Sequence, residues 1–291
     1  MTIRPIHHLV LPVTTLNLAR GRLESLGFTV APDAAHPFGT GNCCVFFANG
    51  TYIEPLTVVD RNKADMAAAE GVQFVLRSRR FTERHGEGFA MLALQSDQIE
   101  ADQSRFAAAG FALGTVFHFD RNARLPDGSE QSVGVDLAFA ADAAAPDATI
   151  FTCRLTDAEA LWNPAYAEHP NGATGVTSVA AVAENPADFH ILLSTVSGQR
   201  ELNATSFGVE AKVGNGTISI LTPAGFEARY GVAPPDPRQG LLLAAFDLGT
   251  SDPGRALSFG GPSSFRRADR IVIPPSPGLG VVCSFEIGHH G

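Results

Sequence analysis

The chain has 291 residues, which is too long for one typical core and suits two domains. Hydrophobic residues make up 45% and charged residues 18%, a globular composition that excludes a disordered chain. The net charge is −9 at pH 7 and lysine occurs only at Lys63 and Lys212. Nucleic acid is therefore not an expected partner, because its phosphates need a basic surface.

The expected location follows from features that the sequence lacks. No apolar run reaches the roughly 18 residues that a membrane helix needs. The first residues do not show the basic, apolar and small-residue order of a signal peptide. The cysteines form no Cys-x-x-Cys pair, which favours buried free thiols over a zinc cluster or disulfides. We therefore expect a cytoplasmic protein with no membrane partner.

The first sixty or so residues predict the element order β-α-β-β-β. Residues 6–13 alternate and are rich in β-branched types, as in a strand. Thr14 or Thr15 can cap a helix with one apolar face, and Gly27 ends that helix. Asn49-Gly50 is a hairpin signal between the last two of three further strands. These strands are predicted at residues 28–30, 43–48 and 51–59.

The same order recurs three times along the chain. The second unit is predicted as a strand at 89–95, a helix at 99–109 and strands at 114–120, 132–138 and 149–155. The third is a strand at 176–182, a helix at 186–197 and strands near 201, at 207–213 and at 217–221. The fourth is a strand at 241–247, a helix at 252–259 and strands near 264, at 270–273 and at 280–287.

One such unit exposes a sheet face that it cannot bury alone, so the units must pair. The predicted fold class is α+β, with four βαβββ modules paired into two mixed, partly closed eight-stranded sheets and helices outside. The first domain is expected at 1–157, with modules at 1–60 and 86–157. A connector at 158–172 precedes a second domain at 173–291, with modules at 173–230 and 240–288.

A short basic cluster falls between the first two modules. Arg77, Arg79, Arg80 and Arg84 lie close together and are interrupted by other residue types. Two interpretations stay open for them. They form a solvated helix or loop face, or they line a pocket for an anionic substrate.

Several segments resemble a known family. Residues 6–13 (IHHLVLPV), 23–30 (LESLGFTV), 39–42 (GTGN) and 50–56 (GTYIEPL) resemble the first module of glyoxalase-like, or vicinal oxygen chelate, proteins. This superfamily includes glyoxalases, bleomycin-resistance proteins and extradiol dioxygenases. Residues 169–173 (HPNGA) resemble a phrase that precedes the third module in its four-module members. The resemblance covers most of the chain.

The resemblance implies a divalent metal at the bottom of a U-shaped sheet. In this family the ligands come from the first and fourth strands of each module, and the substrate chelates the metal through neighbouring oxygens. The matching positions here are His8 and Glu54, and Glu54 also becomes the expected catalytic residue. His7 is expected on the opposite face of the strand. Such ligands suit zinc, iron, manganese, nickel or cobalt.

The second module departs from the family pattern. Its first strand offers no histidine or carboxylate, and its fourth strand offers only Cys153 as a soft ligand. Either another residue completes the site, or no metal binds. The residues that we consider for this role are His118, Asp120, Glu168 and His169.

Four further side chains are candidates for binding a small-molecule substrate. Asn42 ends a small-residue loop, and Arg154 can pair with a substrate carboxylate. Trp162 and His118 can line the same cavity. In the second domain only Glu286 stands where a ligand is expected, so this domain is expected to be structural or to support the first cavity.

Three functions follow as alternatives. The first is a metal-dependent lyase, isomerase or dioxygenase acting on a small oxygenated molecule. The second is a metal-free protein that binds or sequesters a small molecule, as bleomycin-resistance proteins do. The third is an assembly role through open sheet edges, which makes a homodimer an expected partner state.

Overall fold

The computed structural model describes residues 2–124, 130–156, 162–236, 238 and 240–287. Within these residues the chain forms two mixed sheets, one in each half, whose strands alternate with helices. The first sheet curls into a half-barrel. The predicted fold class is therefore confirmed.

The first sheet contains nine strands. They are β1 (Ile6–Pro12), β2 (Ala34–Ala35), β3 (Thr40–Asn42), β4 (Val45–Phe46), β5 (Tyr52–Val58), β6 (Met91–Gln95), β7 (Ala112–Arg124), β8 (Glu130–Ala140) and β9 (Thr149–Leu155). Its order is β2-β3-β5-β1-β6-β9-β8-β7, with β4 paired to β5. The helices of this half are α1 (Leu16–Ser25), α2 (Arg61–Ala69), α3 (Gln73–His85) and α4 (Ile99–Ala108).

The second sheet contains eight strands in the order β11-β12-β13-β10-β14-β17-β16-β15. They are β10 (Ala173–Val182), β11 (Asn203–Thr205), β12 (Gly208–Val213), β13 (Gly216–Leu221), β14 (Leu242–Thr250), β15 (Phe265–Arg267), β16 (Arg270–Ile273) and β17 (Val282–Glu286). Its helices are α5 (His190–Ser197), α6 (Pro223–Tyr230) and α7 (Pro253–Phe259), with short 3-10 helices at Pro164–Tyr166 and Pro186–Phe189.

The two sheets share one pairing scheme. In the first, β1 runs parallel to β5 and antiparallel to β6. In the second, β10 runs parallel to β13 and antiparallel to β14. The first strands of two modules therefore meet at the centre of each sheet, as expected for modules that pair to cover an exposed face.

Both ends of α1 are formed by the residue types that the sequence predicts for them, a threonine N-cap and a glycine after the last turn. The Thr15 hydroxyl accepts a hydrogen bond from the backbone N–H of Leu18, which caps the helix. Gly27 follows the helix with a φ of 78°, a value that favours glycine. A Cβ at this position would lie 2.6 Å from the Phe259 ring, so Gly27 also permits close packing against the second half of the chain.

One predicted strand is absent from the structure. Residues 28–30 pair with no strand, and the next strand is β2. The carbonyl oxygens of Val30 and Ala31 accept hydrogen bonds from the Arg20 guanidinium, at 3.2 and 2.7 Å. Phe28 and Val30 are buried, so this segment keeps the apolar pattern of a strand but makes no ladder of hydrogen bonds with a neighbouring strand.

Helices cover both faces of each sheet. A large core joins the outer faces of the two sheets to α1, α5 and α7. A second core packs α2 and α3 against the inner face of the first sheet, the face that carries His8 and Glu54. A third core packs α6 against the inner face of the second sheet. The helices α2, α3 and α6 are thus additions to the four modules, and they close the inner faces.

The basic cluster on α3 is ion-paired within the protein. Arg80 and Arg84 each lie 3.1 Å from the Asp147 carboxylate, which is fully buried. Burial alone would raise the pKa of Asp147, but hydrogen bonds from His85 and Arg80 outweigh it and hold that pKa below its ordinary value. Arg79 pairs with Asp65 at 2.5 Å. The cluster therefore anchors α3 to the loop before β9.

Candidate functional site

A small cavity lies on the inner face of the first sheet, under α3. Its volume is about 20 Å³, which is room for one ion or one water molecule. Strands β1, β5, β7, β8 and β9 supply most of the lining. The lining residues are His8, His36, Tyr52, Glu54, Phe74, Phe119, Arg121, Val135, Leu137, Phe151, Cys153 and Leu155.

The fold brings His8 and Glu54 together. Because β1 and β5 are parallel neighbours with His8 opposite Tyr52, Glu54 lies one inward-facing position further along. The His8 Nε2 atom is 3.6 Å from the Glu54 Oε2 atom, and both side chains are buried. Parallel pairing therefore joins two residues that are far apart in the sequence.

The Glu54 carboxyl group has little compensation for its burial. The Asn42 amide donates a hydrogen bond of 2.7 Å to Oε1. The His36 Nε2 atom is 3.5 Å from the same oxygen. Burial raises the pKa of Glu54 to about 7, although the Asn42 hydrogen bond and the charge of Arg121 oppose this rise. At neutral pH this carboxyl group is therefore close to half ionised.

His7 and His8 face the same side, contrary to the expectation from simple alternation. The register between β1 and β6 shifts between Ile6 and His8, which marks a β-bulge. The bulge turns His7 toward its neighbour, and the two Nδ1 atoms lie 2.8 Å apart. Burial lowers the pKa of His7 to about 4 and that of His8 well below its usual range. Both rings are therefore neutral at pH 7.

Cys153 approaches the same pair of histidines. One donor atom from each of His7, His8 and Cys153 lies within 4.8 Å of the other two. Burial raises the pKa of the Cys153 thiol. A thiol at this position loses its proton when it binds a metal ion. The second module therefore contributes its one soft donor to the cavity.

The donor set fits a divalent cation. The 3.6 Å between His8 Nε2 and Glu54 Oε2 is too long for a hydrogen bond, and no described residue donates a hydrogen bond to Oε2. Two ligands that each lie about 2.1 Å from a tetrahedral ion are about 3.4 Å apart. A neutral imidazole and a carboxylate suit zinc, iron and manganese. The Cys153 thiol lies in a group with His7 and His8 and not with Glu54, so it belongs to a second, neighbouring set of donors.

Of the predicted substrate-binding residues, Asn42 is the one that contacts Glu54. Trp162 packs edge-on against Phe46, with ring centroids 5.1 Å apart, and lies 6.4 Å from the Tyr52 ring. It therefore stands beside the cavity wall and does not line the cavity.

Arg154 and His118 lie on the outer face of the sheet. Arg154 pairs with Asp136 and Glu100 at 3.0 Å, and the His118 Nδ1 atom is 2.7 Å from Asp136. Side chains alternate between the two faces of a strand, and the neighbours Cys153 and Phe119 line the cavity. Arg154 and His118 therefore point away from it. Asp120 shares this outer face with His118, at 3.8 Å.

His169 binds the backbone on both sides of its ring. Its Nδ1 accepts from the Thr29 N–H at 3.0 Å, and its Nε2 donates to the Phe46 carbonyl at 2.8 Å. The Thr29 hydroxyl donates to the carbonyl oxygen of Glu168. Both ring nitrogens are thus engaged, and this segment fastens the connector to the first sheet.

His36 and Arg121 are two of the lining residues that sequence reasoning missed. His36 stands alone in a loop, and its Nδ1 is 2.9 Å from the Thr40 hydroxyl. Burial lowers the pKa of His36 to about 3, and the charge of Arg121 adds to this effect. Arg121 lies on β7, whose inward positions could have been read from its alternation with Phe117 and Phe119.

The inner face of the second sheet has a different chemistry. Asp247 on β14 is fully buried and accepts hydrogen bonds from Arg229 at 2.7 Å and from Tyr230 at 3.2 Å. Ser284 also donates to this carboxylate. Glu286, the predicted lone ligand, pairs with Arg270 at 2.9 Å. The polar groups of this face are paired with one another.

None of the helices in the described part of the chain is both long and apolar enough to cross a membrane.

Comparison with known proteins identifies the relatives of this fold. A family model described as a glyoxalase-like domain matches residues 6–196. No curated protein matches the sequence. A hypothetical protein from Staphylococcus aureus superposes with a TM-score of 0.66 and 14% identity, over 98% of this chain and 99% of that one.

Two enzymes with known names share the fold at low identity. A triple mutant of 4-hydroxymandelate synthase from Streptomyces coelicolor has a TM-score of 0.56 and 14% identity, over 100% of this chain and 95% of that one. The 2,2',3-trihydroxybiphenyl 1,2-dioxygenase from Sphingomonas wittichii has a TM-score of 0.51 and 11% identity, over 99% and 91%. At this identity the likeness concerns the fold alone.

Proposed function

Because the chain belongs to the glyoxalase-like domain family, we propose that it is a divalent-metal-dependent enzyme with His8 and Glu54 as metal ligands. The observation that carries this proposal is the 3.6 Å separation of His8 Nε2 and Glu54 Oε2 across a cavity of about 20 Å³. The reaction class is that of a lyase, isomerase or dioxygenase, and the substrate is a small oxygenated molecule.

A bound divalent ion supplies Lewis-acid stabilisation of negative charge on a substrate oxygen. The protein contributes the orientation of the ligands. The Asn42 amide fixes the Oε1 atom of Glu54 and leaves Oε2 directed at His8. When the His8 Nδ1–H donates to His7, the lone pair of His8 Nε2 faces the cavity.

Glu54 can also move a proton. In the metal-free protein its pKa of about 7 allows the carboxyl group to take up or release a proton at neutral pH. A bound cation would lower this pKa, so a role in proton transfer requires the carboxylate to be released from the ion. Burial among aromatic rings keeps water away from this group. Phe74 and Phe151 lie on the cavity wall with Glu54 and lower the local dielectric response.

The experiment is a comparison of metal content. Protein stripped with chelator and reloaded with zinc or manganese is dialysed, and the bound metal is counted by mass spectrometry. We expect about one ion per chain in the natural protein and a loss of at least tenfold in affinity for His8→Ala and Glu54→Ala variants. A variant with His190→Ala and Glu24→Ala, at exposed positions, serves as the control. Equal and negligible metal in all proteins would contradict the proposal.

A metal-free binding protein is the second candidate. It is favoured by the absence of a ligand on β6, where Ala93 stands opposite His8. In that case the protonated form of Glu54, which its raised pKa keeps present at neutral pH, donates a hydrogen bond to a ligand oxygen. Ligand binding that is unchanged by chelator would support this candidate over the first.

A further inference from the structure

The mouth of the cavity can be located from solvent exposure. Nine of the twelve lining residues are buried, and three are partly exposed. The exposed three are Phe119 and Arg121 on β7 and Leu155 at the end of β9. The cavity therefore reaches solvent on the side of β7 and β9, and Arg121 carries the one charge among these three side chains.

The Arg121 guanidinium makes no hydrogen bond and no ion pair within 4.0 Å to another described residue. Glu54 is the one acid among the described residues that line the cavity with it. Two other half-buried arginines of the same half are ion-paired. Arg154 binds Asp136 and Glu100, and Arg105 lies 3.2 Å from Asp102. A guanidinium that stands at a cavity mouth, beyond ion-pair distance from that acid, can take an anion from solution.

The charge of Arg121 acts on the residues at the bottom of the cavity. It lowers the pKa of Glu54 and of His8, although burial has the larger effect on both groups. It also lowers the pKa of His36. Arg121 lines the cavity together with His8, His36 and Glu54, and this is the geometric basis for placing its charge there.

We propose that Arg121 binds the carboxylate of a small organic acid at this mouth and thereby selects acids as substrates. A planar guanidinium matches a carboxylate with two parallel hydrogen bonds, which fixes the orientation of the acid. The orientation directs the adjoining part of the acid toward Glu54. This last step rests on the proposed function, whereas recognition of the carboxylate does not.

The size of the cavity agrees with binding at the mouth. A volume of about 20 Å³ holds an ion or a water molecule and excludes the body of an organic acid. The body must then lie outside, where Phe119 and Leu155 offer an apolar border on either side of Arg121. The acid and the metal thus use separate parts of one site.

The test compares pyruvate with pyruvamide, which has the same shape and no charge. Affinity is measured by ligand-observed NMR on the full chain, with and without zinc. We expect the natural protein to prefer pyruvate by roughly 10- to 100-fold, the range of a charge-assisted hydrogen-bonded pair. Arg121→Gln should abolish this preference, and Arg121→Lys should keep part of it. Arg105→Gln, at a paired and similarly half-buried arginine, is the matched control.

The outcomes separate this inference from the proposed function. Loss of the preference in Arg121→Gln, with zinc content and melting temperature unchanged, supports it. No preference in the natural protein, or an equal preference in Arg121→Gln, would overturn it even if zinc binds. A preference that depends on Arg121 in a protein that binds no metal would sustain the acid site and refute the metal proposal.

Discussion

The inner faces of the two sheets can be compared position by position. One backbone hydrogen bond follows the paired strands β1 and β5, and an equivalent bond follows β10 and β13. The Val13 N–H donates to the Leu56 carbonyl in the first sheet, and the Ala183 N–H donates to the Leu221 carbonyl in the second. Counting back from these bonds relates each inward-facing residue of one sheet to one of the other.

By this count Ser178 corresponds to His8, and Ser219 corresponds to Glu54. Both seryl hydroxyls contact the guanidinium of Arg229, at 3.0 and 3.3 Å. An arginine from α6 therefore stands in the second sheet where a metal ion is proposed in the first. On the proposed function, the two equivalent places would hold different cations.

The covering helices explain the difference. In the second half, α6 places Arg229 next to the buried Asp247 carboxylate. In the first half, α3 places Phe74 and Val75 in the inner core and brings no cation to Glu54. A buried carboxylate paired with a protein cation is compensated, whereas one with no cation within ion-pair distance is costly to the fold and indicates a candidate site.

The largest effect is expected from breaking the pair in the second half. Arg229→Met should destabilise the protein by about 3 kcal/mol, because Asp247 would remain buried with only Arg270 at 3.6 Å as a nearby cation. Urea unfolding measures this loss. Adding Asp247→Asn should restore part of the stability, since the uncompensated charge is removed. A loss below about 1 kcal/mol would show that the pair is not needed.

Glu54→Gln should stabilise the metal-free protein at neutral and higher pH, whereas Arg229→Met destabilises it. The folded-state pKa of Glu54 is raised from 4.5 to about 7, so its contribution to stability is present at low pH and is lost as the pH rises to 7. From pH 5 to pH 8 the natural protein should lose on the order of 3 kcal/mol relative to Glu54→Gln. The measurement is urea unfolding at both pH values.

The control for this pH dependence is Glu24→Gln, at an exposed glutamate of α1. Its stability relative to the natural protein should be flat over the same range. If Glu54→Gln is flat as well, the Glu54 carboxyl group is satisfied in the fold, and the contrast between the two faces disappears.

The smallest effect is expected on the outer face of the first sheet. Arg154→Gln removes partly exposed ion pairs with Glu100 and Asp136, which should cost below about 1 kcal/mol. Because the side chain points away from the cavity, metal content should stay unchanged. A large loss of metal in this variant would show that Arg154 contributes to the site, where the sequence analysis placed it.

The repeated modules were predictable because strand and helix periods are local properties of the sequence. The helix α1, its cap at Thr15 and the repeated strands follow from such patterns. The helices α2, α3 and α6 were not predicted as covers of the inner faces, because the module pattern has no place for them. Their roles depend on packing against distant strands.

The proximity of His8 and Glu54 was predictable because one family position fell on each of two strands. His8 and Glu54 were identified in this way, and parallel pairing brings them together. The orientation of His7 was wrong, since a β-bulge is a property of the ladder and left no signal in the sequence. Arg121 was missed although its alternation with Phe117 and Phe119 places it on the inner face, because alternation alone does not show that β7 borders the cavity.

The most direct test is an anomalous-scattering map from crystals of the protein loaded with zinc or cobalt. We predict one peak on the inner face of the first sheet, within bonding distance of His8 Nε2 and Glu54 Oε2, and none next to Arg229. A saturated crystal with no peak between His8 and Glu54, or with its peak elsewhere, would contradict the account.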